Sequence, residues 1–145
     1  MTISLKKSVP AIFLSSVSLY SVAGELNILT WEGYADPNFI EPFEKATGCK
    51  VNATYVGSND DFAPKLAAGG GVFDLVSPSI DSTYPLIQAG FVEPIDTSKI
   101  KEWNNIYEKF RTSDGINYKG ETYGVPYSWG AIAFMYRTDK FATPP

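Results

Sequence analysis

The sequence predicts an α/β fold in which a mostly parallel sheet carries helices on its faces. Short, mostly apolar runs containing β-branched residues occur at 26–31, 51–56 and 73–77, and such runs are typical of buried strands. Residues that favour starting, continuing and ending a helix follow each run. Repeated strand–helix units of this length specify parallel strands, and their crossovers are right-handed by default.

The first strand, 26–31, precedes a helix that Asp36-Pro37 can start and that we expect to end at Gly48. Asp is a favoured cap, Pro suits the first helical position, and Gly readily takes the left-handed conformation that closes a helix. Pro42 has no N–H to donate inside a helix. We therefore predict that the helix begins late enough to hold Pro42 near its first turn.

The remaining elements continue this alternation and then become irregular. The sequence predicts a strand at 51–56, a helix at 60–68, a strand at 73–77 and a helix that starts at Ser82 or Thr83 and ends at Gly90. Beyond them, 100–110 predicts an irregular helix, 118–123 a hairpin that turns at Lys119-Gly120, and 131–137 a further strand. The regular strand–helix alternation therefore ends near residue 90.

The first residues, 1–24, follow the plan of a secretory signal peptide. Two lysines precede an uncharged and mostly apolar run at 9–22, which ends in small residues. The alternative is a membrane anchor, but the run falls short of the roughly 20 apolar residues that span a bilayer. We predict export to the periplasm with cleavage near Ala23 or Gly24. No cysteine directly follows that point to carry a lipid.

Charge and composition exclude several classes of function. The chain has 12 Lys and Arg against 16 Asp and Glu, and removal of residues 1–24 moves its net charge from −4 to −6. Nucleic-acid binding needs concentrated positive charge, which this chain lacks. It has no His and a single cysteine, Cys49, which excludes His-based triads, His-ligated zinc and an internal disulfide. We therefore predict no catalytic site, no metal site and no cofactor.

Candidate ligand-binding residues lie in loops that follow the predicted strands, because ligands bind beyond the carboxyl ends of the strands in open parallel sheets. The candidates are Trp31, Glu32 and Tyr34 after the first strand, and Ser79 and Asp81 after the third. The loop after the second strand adds further acids. An aromatic face attracts a cation, and a carboxylate accepts hydrogen bonds from an ammonium while balancing its charge. The sequence therefore indicates a receptor for an amine.

Three of the candidates also have an ordinary structural explanation. Trp31 can be a core residue, Glu32 a solvated acid, and Asp81 the cap of the third helix. Free N–H groups at helix starts suit an anion, although the local excess of acids counts against one. The convergence of these residues on one edge, rather than any single residue, indicates the amine site.

Four motifs carry a resemblance to a known family. They are Trp-Glu-Gly-Tyr at 31–34, Phe-Glu-Lys-Ala-Thr-Gly at 43–48, Phe-Asp-Leu-Val-Ser-Pro-Ser at 73–79 and Tyr-Gly-Val-Pro-Tyr-Ser-Trp-Gly at 123–130. Through them, the sequence from residue 26 to residue 140 resembles the spermidine/putrescine-binding family of periplasmic solute-binding proteins. The resemblance covers nearly all of the chain that follows the predicted leader.

The resemblance implies two α/β lobes of the type II periplasmic-binding-protein fold, joined by crossover strands, with the ligand enclosed between them. Residues 25–130 then form an incomplete N-terminal lobe, and 131–145 form a crossover strand and the start of a connection to a second lobe that is missing here. The implied role is solute capture for an ABC importer. The partners are an inner-membrane permease and a small-molecule ligand, and the complete protein is expected to be monomeric.

The resemblance also assigns roles to individual residues. In the family, aromatics after the first strand contact the polyamine, which carries over to Trp31 and Tyr34, and the serine of the Pro-Ser turn carries over to Ser79. Family members commonly have an aromatic residue two positions after that serine, whereas this chain has Asp81. The family's main amine-binding acids lie in the second lobe.

A polyamine is the leading ligand, and three alternatives stay open. Other amines and amino-acid-like solutes fit the same fold, and a ferric ion could be held by Tyr34 with other tyrosines. An enzyme that uses Cys49 as nucleophile is least favoured. Cys49 precedes the second strand, at the opposite end of the sheet from the candidate site, and the chain has no His to deprotonate its thiol.

Overall fold

A computed structural model describes residues 24–69, 71–131 and 133–143. Apart from Gly24, the predicted leader lies outside the described residues. The described part contains a three-stranded parallel sheet made of β1 (Glu25–Trp31), β2 (Lys50–Val56) and β3 (Leu75–Val76), in the spatial order β2-β1-β3. β1 pairs with β2 along its whole length. The predicted parallel sheet is therefore confirmed.

Three helices accompany the sheet: α1 (Pro37–Thr47), α2 (Phe62–Gly69) and α3 (Ile80–Gln88). The core cluster consists of Leu29, Val56, Phe62 and Leu86, and the side chains of Leu29 and Phe62 are fully buried. Phe62 opens α2 and Leu86 lies in α3, so their burial fixes the helices that follow the second and third loops of the candidate site. None of the helices in the described ranges combines the length and apolar character needed to span a membrane.

The helix α1 begins at Pro37, directly after Asp36, and Gly48 follows it in the left-handed conformation, as predicted for the end of the helix. Pro42 lies in the middle of the helix, so the predicted late start is wrong. Pro42 and Asn38, whose carbonyl the missing N–H would have bonded, are both exposed. Water can therefore take the place of the lost donor, which makes the interior proline tolerable.

The helix α3 begins at Ile80, which is earlier than the predicted start at Ser82 or Thr83. Ser79 holds the cap position with an extended backbone, and its carbonyl accepts the N–H of Ser82 at 2.9 Å. Asp81 is therefore a residue of the first turn and not the cap. The Pro-Ser turn favours this earlier start because the residues before the helix are already extended.

The chain beyond residue 90 forms short, separate elements. Residues 100–110 do not form one helix: a 3-10 turn at Trp103–Asn105 is followed by the four-residue helix α4 (Glu108–Arg111). Ile106 between them has an extended backbone, which breaks the helix. The predicted hairpin is confirmed as β4 (Asn117–Tyr118) and β5 (Glu121–Thr122).

The hairpin turn fits its sequence. Lys119 and Gly120 have φ angles of 51° and 85°, and positive values at both central positions define the type I′ turn that suits the twist of a hairpin. The strand predicted at 131–137 is not formed by its described residues, Ala131 and 133–137. A strand needs a partner for its backbone groups, and no described residue pairs with this segment. Its role as a crossover stays a prediction.

Candidate ligand-binding site

The first loop of the candidate site is a tight turn after β1. The N–H of Tyr34 donates to the carbonyl of Trp31 at 3.2 Å, and Gly33 has a φ of 86°. Residues with a Cβ rarely adopt that angle, so glycine at this position allows the chain to reverse. Ala35 closes the turn as a buried residue. The turn therefore holds Trp31 and Tyr34 at the carboxyl end of β1, where the sequence predicted them.

Trp31 stands between the core and the rim, which is the edge of the sheet formed by the loops 31–36, 57–61 and 77–81 after the three strands. It is half-buried, and its ring lies edge-on to Phe62 with 5.7 Å between ring centroids. It packs against the core cluster. Trp31 is therefore partly a core residue, as the alternative explanation predicted. The part of its indole that stays exposed is available to contact a ligand.

Tyr34 contacts a distant part of the chain. The residue is 40% exposed, and its ring lies 5.1 Å, centroid to centroid, from the ring of Tyr127 at a tilt of 40°. Its hydroxyl lies 3.4 Å from Oγ of Ser128. In the sequence, Tyr127 and Ser128 stand out only as part of a family motif, because no local pattern shows that residues so far apart in the chain meet.

The second and third loops are tied together by Asn59. Its amide oxygen accepts the N–H of Ser79 at 3.1 Å. Its amide nitrogen donates to the two carboxylate oxygens of Asp81 at 3.3 and 3.4 Å. The structure thus brings Ser79 and Asp81 together and orients the carboxylate. Asn59 was missed as a site residue, although its place in the loop after the second strand was visible in the sequence.

The acids of the rim have different surroundings. The Asp61 carboxylate accepts the N–H groups of Gly57 and Ser58 at 3.1 and 3.0 Å, so Asp61 stabilises its own loop. Glu32 is exposed, and no hydrogen bond or ion pair joins its side chain to any residue of the described ranges. Asp60 is likewise exposed and forms no side-chain hydrogen bond within the described ranges. Glu32, Asp60 and the Asn59-bonded Asp81 are therefore acids that the rim can present to a cation.

Asp81 also borders an open groove of about 510 Å³ between the start of α3 and the β4–β5 hairpin. The groove is lined further by Ile80, Tyr84, Asp114, Gly115, Asn117, Tyr118 and Lys119. The Lys119 ammonium, 5.0 Å from the centroid of the Tyr118 ring, lowers the pKa of Tyr118 from its ordinary value. Trp31, Glu32 and Tyr34 do not line this groove. The structure therefore forms two groups on the rim. One contains the aromatic residues Trp31 and Tyr34, and the other contains Ser79 and Asp81. The five candidates do not line one pocket.

Within the described residues, no three His, Cys, Asp or Glu side chains lie close enough together to hold a metal ion. Cys49 is half-buried between α1 and β2, where its N–H donates to Oγ1 of Thr47 at 3.1 Å. It lies at the start of β2, whereas the candidate loops follow the strands' carboxyl ends. Cys49 is thus separated from the rim, as the sequence predicted.

Comparison with known proteins gives consistent results. Residues 38–145 match the family described as bacterial extracellular solute-binding proteins. The chain is 34% identical over 130 residues to the putrescine-binding periplasmic protein PotF of Escherichia coli K12, covering 88% of this chain and 35% of PotF. It is 33% identical over 115 residues to the putrescine-binding periplasmic protein SpuD of Pseudomonas aeruginosa UCBPP-PA14, covering 79% of this chain and 31% of SpuD.

The structural comparison agrees. The spermidine/putrescine ABC transporter substrate-binding protein PotD of Streptococcus pneumoniae superposes with a TM-score of 0.65 and 28% sequence identity, over 72% of this chain and 32% of PotD. The chain thus spans about a third of the length of the relatives that it matches. The predicted periplasmic-binding-protein fold class and the resemblance to polyamine-binding proteins are both confirmed. The chain belongs to the family of bacterial extracellular solute-binding proteins.

Proposed function

We propose that this chain is the first lobe of an extracytoplasmic solute-binding protein that captures a polyamine, or a related amine, and delivers it to an ABC permease. The observation that carries the proposal is the rim itself. Trp31 and Tyr34 stand at the carboxyl end of β1, and the exposed acids Glu32 and Asp81 follow neighbouring strands. Relatives named for putrescine binding support the choice of ligand.

The rim offers one side of a site for a cationic ligand. Aromatic faces and carboxylates both attract a cation, and each interaction is stronger when water is excluded. An open rim does not exclude water. Ligand pockets usually bury most of the ligand surface, so we propose that a second lobe completes the site and that residues 131–145 lead towards it. Residues 1–24 would direct the protein to the periplasm.

The proposal is tested on the full-length protein, by which we mean a chain of the relatives' length that carries this sequence. Thermal unfolding is measured with putrescine, spermidine, other amines, amino acids and a ferric salt. A ligand that binds the folded state at a hundred times its Kd stabilises it by about 2.7 kcal/mol. We expect polyamines to raise the Tm most. A rise with amino acids or ferric ion alone would replace the polyamine proposal with the corresponding alternative.

The role of Trp31 is tested by substitution in the same protein. We expect Trp31→Ala to weaken amine binding about tenfold, because a cation over an indole gains roughly 0.5–2 kcal/mol. Trp31→Phe should recover part of the loss, since a phenyl face is a weaker version of the same quadrupole. The measurement is calorimetric titration, with circular dichroism to confirm folding.

The matched control is Glu41→Ala. Glu41 is exposed on α1, whereas the nearby Glu44 accepts the N–H of Val51 at 2.7 Å and so stabilises the fold. We expect Glu41→Ala to bind as the parent does. A folded Trp31→Ala variant that also binds as the parent does would assign Trp31 to the core alone and remove the best residue of the amine site.

A further inference from the structure

The ring of Tyr34 is held by contacts from a distant segment rather than by its own loop. The backbone of the turn at 32–35 is held by the Tyr34 N–H, which donates to the Trp31 carbonyl, and by the Ala35 carbonyl, which accepts the Tyr55 hydroxyl at 3.4 Å. The side chain is not part of the buried core. The ring of Tyr127 and the hydroxyl of Ser128 are the contacts that define its position, at 5.1 Å between centroids and 3.4 Å between oxygens.

We propose that Tyr127 and Ser128 are positioning residues for Tyr34, which set the orientation of its ring before an amine binds. The inference rests on the proposed function, because it assumes that Tyr34 contacts the ligand. Tilted aromatic pairs are favourable beyond the area that they bury. A side chain that is already oriented loses less conformational freedom when a ligand arrives, which strengthens binding.

The exposure of Tyr127 argues against a purely structural role. Tyr127 is 66% exposed, and it is not a member of the core cluster. Its contact with Tyr34 joins residues that are nearly a hundred positions apart in the chain. Removal of the ring should therefore cost little stability while it releases Tyr34.

The neighbouring residue faces another way. The ring of Trp129 lies 6.1 Å from that of Phe110, and the ammonium of Lys109 lies 5.6 Å from the Trp129 ring. Tyr127 and Ser128 thus contact the first loop while Trp129 contacts α4. This division makes Tyr127 separable by mutation, because its substitution leaves the Trp129 contact in place.

The test is a double-mutant cycle in the full-length protein, with putrescine and spermidine as probes. We expect Tyr127→Ala to raise the Kd about threefold to tenfold, and Tyr127→Phe to bind nearly as the parent does because it keeps the ring pair. In the Tyr34→Ala background, Tyr127→Ala should have no further effect. Ser128→Ala should show a smaller loss of the same kind. Tyr107→Ala, which removes an exposed tyrosine from another site, should leave the Kd unchanged.

A second readout does not need the ligand. In protein labelled with fluorotyrosine, the ¹⁹F resonance that Tyr34→Phe removes should shift or broaden in Tyr127→Ala and stay in place in Tyr107→Ala. Additive effects in the cycle, or an unmoved Tyr34 resonance, would overturn the positioning role while leaving the proposed function intact. If the parent protein binds no amine, the proposed function fails, and the role of Tyr127 in binding fails with it even where the resonance moves.

Discussion

The described residues before and after position 92 differ in how they bury apolar side chains. The first part contains the parallel sheet and the core cluster, in which Leu29 and Phe62 have no exposed surface. In the second part, Ile116 is the one buried apolar residue within the described ranges. Phe134 and Met135 are 80% and 87% exposed there. Most of the stabilisation by burial therefore comes from the first part.

The exposed apolar residues of the second part are informative about assembly. Single exposed apolar side chains are common on protein surfaces, but large contiguous apolar surfaces usually mark contacts. Trp129, Phe134 and Met135 occur within a few residues of one another and are all exposed. This supports the proposal that further chain, of the kind present in the longer relatives, packs over this segment.

The largest expected effect is on the free energy of unfolding, which should respond differently to substitutions in the two parts. We expect Phe62→Ala to lower the free energy of unfolding by about 3–5 kcal/mol, because the substitution leaves a cavity in the core. Phe134→Ala should change it by less than about 0.5 kcal/mol in a protein of residues 25–145, as for other exposed positions. In the full-length protein the same substitution should cost about 1.5–3 kcal/mol if added chain covers Phe134. Urea denaturation followed by circular dichroism measures all three.

A small effect of Phe134→Ala in both proteins would show that this segment stays exposed and would contradict the proposed cover. A small effect of Phe62→Ala would contradict the core itself.

The next expected effect concerns ligand affinity. Residues 25–145 alone should bind putrescine at least about a hundredfold more weakly than the full-length protein does, because a rim without a second lobe leaves most of the ligand in water. Calorimetric titration of both proteins under the same conditions measures the ratio. Equal affinities would show that the described lobe is sufficient and that no second lobe takes part in binding.

How much the sequence predicted depends on whether the signal is local. The strands up to residue 77, the helix end at Gly48 and the Lys119-Gly120 turn were predicted correctly, because each follows from the conformational preferences of a few adjacent residues. Pro42 was placed wrongly because its effect depends on exposure, which a short window does not show. The strand expected at 131–137 depended on a pairing partner, which apolar composition alone does not supply.

In the candidate site, too, the local features were predicted from the sequence and the contacts between distant residues were not. The sequence placed Trp31 and Tyr34 at the end of a strand, and the rule for parallel sheets located the rim. It did not identify Asn59 as the link between two loops, nor Tyr127 as the partner of Tyr34, because both contacts join residues that are distant in the chain. Asp81 was assigned two possible roles, and only the structure shows that Ser79 takes the cap position.

The smallest expected effect compares the two ends of β2. Asn59 follows the strand at the rim and bonds to Ser79 and Asp81, whereas Cys49 precedes the strand. We expect Asn59→Ala in the full-length protein to weaken amine binding about threefold to tenfold, since it removes hydrogen bonds worth roughly 0.5–1.5 kcal/mol each and releases the Asp81 carboxylate. Cys49→Ser should leave the Kd unchanged, with at most a modest loss of stability.

Titration with spermidine, together with the Tm of each variant, measures both effects. A folded Cys49→Ser variant with much weaker binding would move the site to the other end of the sheet, and unchanged binding by Asn59→Ala would show that Asp81 needs no orientation or does not contact the ligand.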